Sequence, residues 1–139
     1  MKTKILFLFV ILVCIKLDIN AQVAVIANKS VPVSSINKSK LLDIYSISQK
    51  SWSNGEKIVV FDLKSNSSAK DKFYQNIGKS NAELKKVWMR MQLTGGGSAP
   101  SSLYSEDEIV SKVASTPGAI GYVELKNVTG AVKVIAKFD

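Results

Sequence analysis

Short apolar runs alternate with amphipathic segments along the chain from residue 23 onward. The apolar runs are rich in β-branched residues and are typical of strands that a sheet buries on both faces. They lie at residues 23–27, 58–61, 119–125 and 132–136. We predict that the first run is a central strand. The last two, joined by a turn at residues 127–130, are predicted to form an antiparallel hairpin.

The segments between the strands carry apolar residues at the three- and four-residue spacing of amphipathic helices. Each begins with a residue that is suited to capping a helix N-terminus. The predicted starts are Asn37, Ser67 or Ser68, Ser80 and Ser105. An acidic residue stands three positions after each of Ser68, Ser80 and Ser105, which predicts three capping boxes.

Residues 95–102 are too dense in glycine, proline and serine for regular structure, so we predict a flexible surface loop there. Strands that alternate with helices favour an α/β sandwich with a largely parallel sheet. Trp88 shares a helical stripe with Leu84 and Met91, which indicates a core position. No repeat or linker divides the chain, and we expect one domain over residues 22–139.

The first 21 residues have the composition of an export signal. Lys2 and Lys4 precede an uninterrupted apolar run at residues 5–15, and Ala21 has the small side chain of a cleavage residue. The run is too short to span a bilayer, so we predict a signal peptide over residues 1–21 and an exported product. An uncleaved membrane anchor is the alternative, because Ile19 is a poor residue two positions before the cleavage residue.

The residues available for chemistry are restricted. The single cysteine, Cys14, lies in the apolar run, and residues 22–139 contain neither cysteine nor histidine. Disulfides, thiolate nucleophiles, imidazole bases and nearly every transition-metal site are thereby excluded. No pair of carboxylates suited to acid–base catalysis is identifiable. We therefore predict a protein that is not an enzyme and has no cofactor or metal.

The charge balance is basic. The net charge is +8, and it falls to +6 when the three lysines and one aspartate of residues 1–21 are removed. Such a charge suits an anionic small molecule, an anionic envelope surface or plain solubility, whereas nucleic acid is a poor partner for an exported protein.

Four segments resemble the phosphate-type periplasmic solute-binding proteins. Residues 117–123 read Pro-Gly-Ala-Ile-Gly-Tyr-Val, which is similar to a signature of that family. Residues 33–45 resemble the family's first helix, residues 66–73 occupy the place of its anion-binding loop, and residues 84–100 resemble its short single-lobe members. The resemblance implies one lobe of a type II periplasmic-binding-protein-like fold, with a mixed sheet flanked by helices.

The resemblance also implies a binding site at the start of a helix, where backbone amides and hydroxyls bind an oxyanion. The residues in those positions are Ser67, Ser68 and Ala69, with Lys70 in place of the family's arginine. Asn66 and Ser68 replace glycines of the family motif, and Ala69 replaces a threonine. The alternative is that the two serines only cap a helix.

The glycine triplet at residues 95–97 is a second candidate, with Gly95 and Gly96 as the residues that would bind the ligand. Its amides would form a nest that faces the same ligand, with Arg90 nearby as a counter-charge. The alternative is a mobile connector without a ligand.

The function that the resemblance implies is that of a periplasmic solute-binding protein of the phosphate ABC transporter type, which binds phosphate or a related oxyanion. A membrane transporter would be its partner, and a homodimer would rebuild the cleft that a single lobe lacks. The alternative is a ligand-free lobe that serves as an interaction module of an envelope complex.

Overall fold

Five strands form one mixed sheet in the computed structural model, which describes residues 21–139. The strands are β1 (Val23–Ala27), β2 (Val59–Leu63), β3 (Ser101–Leu103), β4 (Ala119–Glu124) and β5 (Lys133–Phe138). Their order across the sheet is β3-β2-β4-β1-β5. Strand β2 pairs in parallel with β3 and β4, whereas β1 is antiparallel to both β4 and β5. The α/β fold with a mixed sheet that the resemblance implies is confirmed. The expectation of a largely parallel sheet is wrong, because two of the four strand pairings are antiparallel. The predicted signal peptide lies outside the described residues except for Ala21.

The predicted pairing of the last two strands is wrong. Strand β1 lies between β4 and β5 and is hydrogen-bonded to both, so the two C-terminal strands are not neighbours. All five residues of β1 are buried, in agreement with its predicted place inside the sheet. The sequence suggested a hairpin because β4 and β5 are close along the chain. Instead, β4 and β5 each pair with β1, about a hundred residues earlier in the chain. The β-propensity of a segment does not indicate which distant strand it pairs with.

The prediction of a structureless loop over residues 95–102 is also wrong at its end. Residues Ser101–Leu103 form β3, an edge strand that pairs in parallel with β2. The Lys64 amide continues this ladder by donating to the Leu103 carbonyl oxygen at 2.8 Å. Two of the three residues of β3 are exposed serines, so the strand has no apolar pattern. Backbone hydrogen bonds to β2 stabilise it, and the sequence contains no signal for them.

Four α-helices connect the strands. They are α1 (Lys38–Tyr45), α2 (Ser68–Ile77), α3 (Asn81–Thr94) and α4 (Glu106–Ser115), and a short 3-10 helix covers Leu125–Asn127. Each α-helix is capped by a side chain that accepts the amide three residues on, and the caps are Asn37, Ser67, Ser80 and Ser105. The predicted helix starts are confirmed. No helix among residues 21–139 has the length and apolar character needed to cross a membrane.

Only one of the three predicted capping boxes is complete, and it joins Ser80 and Glu83. The cap of α2 is Ser67 rather than Ser68, so its third helical residue is Lys70 and the predicted box with Asp71 does not form. In α4 the carboxylate of Glu108 accepts the amide of Tyr104 at 3.4 Å instead of closing on its own cap.

Helices cover both faces of the sheet. The ring of Tyr122 in β4 stacks on Phe73 of α2, with the ring centroids 4.1 Å apart. The neighbouring Gly121 faces α4 so closely that a Cβ there would lie 2.8 Å from a methyl carbon of Ile109. Successive strand residues point to opposite faces, so α2 and α4 lie on opposite sides of the sheet. Trp88 is buried and its indole N–H donates to the Tyr45 carbonyl oxygen at 2.6 Å, which confirms its core position.

The turn before β4 requires a glycine. Gly118 has φ +76, and a Cβ there would lie 2.1 Å from the carbonyl oxygen of Lys57. Its own carbonyl oxygen accepts the indole N–H of Trp52 at 2.9 Å, and its amide donates to the Ser30 hydroxyl at 3.0 Å. The Pro-Gly motif therefore fixes the entry of β4 against three other segments of the chain.

Candidate functional site

The start of α2 lies just past the carboxyl end of β2, at an edge of the sheet. The Ser67 hydroxyl oxygen accepts the Lys70 amide at 3.1 Å, and the Ser67 carbonyl oxygen accepts the Asp71 amide at 3.0 Å. Among residues 21–139, no acceptor is found for the Ser68 amide, and the Ser68 side chain is exposed. Helix starts of this kind favour negative charge. Ser68 is thus the most accessible donor of the predicted set.

Two other predicted residues of this loop do not face solvent. Ala69 is fully buried, so its amide is out of reach of a ligand in this conformation. Lys70 is only 4% exposed, and its ammonium donates to the Leu63 carbonyl oxygen at 2.5 Å. It also lies 3.8 Å from a carboxylate oxygen of Asp62. A buried carboxylate is stabilised by a partner of opposite charge. The ammonium of Lys70 therefore points toward Asp62 and not toward solvent.

Asp62, Lys70, Tyr74 and Tyr122 form a buried polar group, here called the Asp62 cluster. Asp62 is 2% exposed and accepts hydrogen bonds from the hydroxyls of Tyr74, at 2.9 Å, and Tyr122. Burial, followed by the charge of Asp62, raises the pKa of both tyrosines, so both hydroxyls stay protonated as donors. Sequence reasoning missed this cluster, although one signal was present. Asp62 is an acidic residue in a strand whose other residues are apolar.

A cavity of about 420 Å³ adjoins this cluster. It lies between α2 and the start of α3 and is lined by Asn66, Lys70, Asp71, Tyr74, Gln75, Gly78, Lys79, Ser80 and Asn81. The side-chain amide nitrogen of Asn81 is buried there and has no hydrogen-bond partner among the described residues. The cavity touches the first turn of α2, but Ser67 and Ser68 are not part of its lining.

The glycine triplet does not join the α2 start. Gly95 has φ +73 and ends α3, where its amide and that of Gly96 donate to helix carbonyl oxygens at 3.4 and 2.8 Å. These two amides are therefore occupied, as is usual for a glycine after a helix. The triplet precedes β3, and Ser67 follows β2. Because β2 and β3 are parallel, the triplet and Ser67 lie at opposite ends of the strands, separated by about 13 Å or more.

The neighbouring helix start has a different charge. Since β3 lies beside β2, the first turn of α4 shares the sheet edge with Ser68. That turn carries Glu106, Asp107 and Glu108, whose negative charges already complement the helix dipole. Lys64 lies on the same edge, with its ammonium 3.1 Å from the Tyr104 hydroxyl oxygen. Within residues 21–139 no group of acidic side chains is arranged to hold a metal ion.

Comparison with known proteins gives matches among solved structures. A putative phosphate ABC transporter substrate-binding protein with bound phosphate from Clostridium perfringens is 23% identical, with a TM-score of 0.68, over 84% of this chain and 45% of that one. An ABC-type phosphate transport receptor from Vibrio cholerae is 21% identical, with a TM-score of 0.66, over 84% and 46%. PstS from Borrelia burgdorferi is 21% identical, with a TM-score of 0.57, over 84% and 47%.

The chain spans less than half the length of each of these proteins. No protein-family model matches the sequence, and no curated protein matches it. Likeness at this identity concerns the fold, and it agrees with the motifs at residues 33–45, 66–73 and 117–123. The described residues have the fold of a single lobe of the phosphate-type substrate-binding proteins.

Proposed function

We propose that this protein binds phosphate or a related oxyanion at the start of α2, as an exported substrate-binding component of a membrane transport system. The observation that supports this most directly is the Ser68 amide. It lacks an acceptor among residues 21–139, and it stands at the first position of a helix that follows the carboxyl end of a parallel strand. Ligands of open α/β sheets bind at such edges. The Clostridium perfringens protein, which shares this fold, was solved with bound phosphate.

The proposed site consists of few groups. The Ser68 amide and hydroxyl and the Ser67 hydroxyl act as donors, and Lys64 supplies positive charge at the same edge. Lys70 makes no direct contact with the ligand, because its ammonium is bonded to the Leu63 carbonyl oxygen and its charge is compensated by the Asp62 carboxylate 3.8 Å away. A ligand held by one helix start remains partly in water, where charge interactions are weak. We therefore expect a dissociation constant in the millimolar range, about 4 kcal/mol of binding free energy.

The decisive variant is Ser68→Pro. Proline is favoured at the first position of a helix because that amide has no intrahelical acceptor, and its ring needs no amide hydrogen. The preceding Ser67 has φ −154 and ψ 165, an extended conformation that a following proline accepts. The substitution thus removes the proposed donor while keeping the helix. Ser68→Ala, the matched control, removes the hydroxyl and keeps the amide.

Calorimetric titration of the purified protein with phosphate, sulfate and arsenate gives the readout. We expect binding by the wild type, a smaller loss in Ser68→Ala, and a loss of tenfold or more in Ser68→Pro, because hydrogen bonds to charged groups contribute about 1.5–3 kcal/mol. Retained binding in Ser68→Pro, or no heat and no thermal shift in the wild type at millimolar anion, would refute the proposal.

A second pair of variants separates capping from binding. Ser67→Ala and Ser105→Ala each remove a capping serine, with cap distances of 3.1 and 3.2 Å, and each should lower stability by about 1 kcal/mol. Only Ser67→Ala should weaken anion binding. An equal effect of both variants on binding would show that the titration reports stability alone.

One observation favours the alternative of an interaction module. Met89 and Leu93 are 61% and 82% exposed, and they lie one turn apart on the same side of α3. Exposed apolar residues that adjoin one another are typical of protein contacts. The alternative of a ligand-free module is supported if the wild type binds no anion and recovers a partner from envelope extract that a Met89→Ser/Leu93→Ser variant does not recover.

A further inference from the structure

A second cavity, of about 430 Å³, lies at the opposite edge of the sheet from Ser68. It is bounded by the amino ends of β2 and β3, the segment after α1 and the glycine triplet. Residues 57–60 and 95–101 line it together with Ile44, Ile47, Gln49 and Lys50. Its volume is within the range of cavities that bind small molecules.

The lining of this cavity is amphipathic. Its inner part is formed by apolar side chains, among them Ile44, Ile47 and Ile58, all of which are buried. Lys50 and Lys57 lie at its exposed rim. No carboxylate among residues 21–139 lies within 4.0 Å of either ammonium group. The Lys50 ammonium donates to the Gly96 carbonyl oxygen, which places positive charge at the mouth of the cavity.

The backbone at Ile47 is strained. It has φ 63, and it is the only residue other than glycine with positive φ among residues 21–139. The left-handed conformation is unfavourable for a β-branched residue. Glycine is the usual residue at this position after a helix. The strain places the isoleucine side chain in the cavity, where a Cβ on Gly97 would lie only 2.6 Å from it. Strained residues of this kind concentrate at ligand sites.

We propose that this cavity is a second binding site, for a small amphipathic anion such as a medium-chain carboxylate. The alkyl chain lies on the isoleucine side chains, and the carboxylate meets Lys50 and Lys57 at the rim. Burial of the chain supplies most of the affinity, since the free energy gained grows with each methylene that leaves water. The site is independent of the proposed oxyanion site, because it uses no residue of the α2 start.

Titration of the full protein with octanoate, followed by backbone amide NMR signals, tests the proposal. We expect shifts at Ile47, Gly96 and Gly97 and unchanged signals at Ser68. Acetate has the charge without the chain and octanol has the chain without the charge, so both should bind at least fivefold more weakly. Phosphate should leave the signals of the cavity unchanged, so failure of one site is distinguishable from failure of the other.

Three variants supply the controls. Lys50→Gln keeps a donor for the Gly96 carbonyl oxygen and removes the charge, and it should weaken octanoate binding at least threefold. Lys112→Gln removes an exposed lysine of α4, far from the cavity lining, and should have no effect. Ile47→Gly accepts the same backbone conformation and removes the side chain from the cavity, so octanoate binding should be lost in a variant whose amide signals outside the cavity remain those of the folded protein. The proposal is wrong if octanoate shifts no cavity signal, if Lys50→Gln and Lys112→Gln behave alike, or if Ile47→Gly binds normally.

Discussion

Replacement of Lys70 by methionine distinguishes a structural lysine from a ligand-binding lysine. Both charges of the Lys70–Asp62 pair are nearly inaccessible, with exposures of 4% and 2%. Removal of one partner from a buried pair typically costs 3–5 kcal/mol, because the other charge stays buried without compensation. Two tyrosine hydroxyls still donate to Asp62 in the variant. We therefore expect the free energy of unfolding to fall by the lower end of this range, about 3 kcal/mol. For a domain of this size, that lowers the melting temperature by about 12 °C.

A double-mutant cycle measures the coupling itself. Asp62→Asn alone should also destabilise, since it leaves an ammonium buried. The combined Lys70→Met/Asp62→Asn variant should be more stable than the sum of the two changes predicts, by about 1–3 kcal/mol. Urea denaturation of the four proteins gives the required free energies. Phosphate titration of Lys70→Met completes the test, and we expect less than a threefold change in affinity.

Two results would refute this reasoning. If Lys70→Met unfolds at the same urea concentration as the wild type, the buried pair does not stabilise the fold. If Lys70→Met keeps its stability and loses phosphate binding, the ammonium faces the ligand as the arginine-like position of the motif implies.

Two further predictions concern stability. The pKa of Tyr74 and Tyr122 is raised by burial and then by Asp62, so the folded protein keeps protons that an unfolded chain releases above about pH 10. The contribution of these two tyrosines to the free energy of unfolding should therefore be constant below that pH and fall above it by about 1.4 kcal/mol per pH unit and tyrosine. Tyr122→Phe should lessen this slope, and Tyr104→Phe, with its exposed ring, should not. Gly118→Ala should cost more than about 3 kcal/mol, because it combines a left-handed backbone with a Cβ 2.1 Å from a carbonyl oxygen. Gly130→Ala, with no atom within 4 Å of the added carbon, should change stability by less than about 0.5 kcal/mol in the same denaturation assay.

The sequence predicted those parts of the fold that depend on local patterns. Helix starts at Asn37, Ser67, Ser80 and Ser105 were correct because each cap is a short-range hydrogen bond. The pairing of β1 with β4 and β5 was not predictable in this way, because the three strands have similar apolar composition. Strand β3 has no pattern of its own, and its existence depends on the exposed edge of β2.

The candidate site was predicted less well, because the direction of a side chain depends on its partners in space. The motif predicted that Ser67, Ser68 and Lys70 lie at the start of a helix, and they do. It did not indicate that Asp62, six residues before Ser68, is buried beneath the helix and that its carboxylate pairs with the Lys70 ammonium. The signal that would have indicated this is the isolated charge of Asp62 within an apolar strand, since such a charge requires a partner.

The net charge of +8 does not identify the place at which the proposed anion would bind. Two helix starts share the sheet edge, and they have the same cap and the same orientation relative to parallel strands. Three acidic residues complement the dipole of α4, whereas the first turn of α2 has only Asp71. The potential of a helix start falls off within one turn, so these nearby charges outweigh distant lysines. Local composition of the first turn, rather than overall basicity, is therefore the reason why we propose the start of α2, and not that of α4, as the anion site.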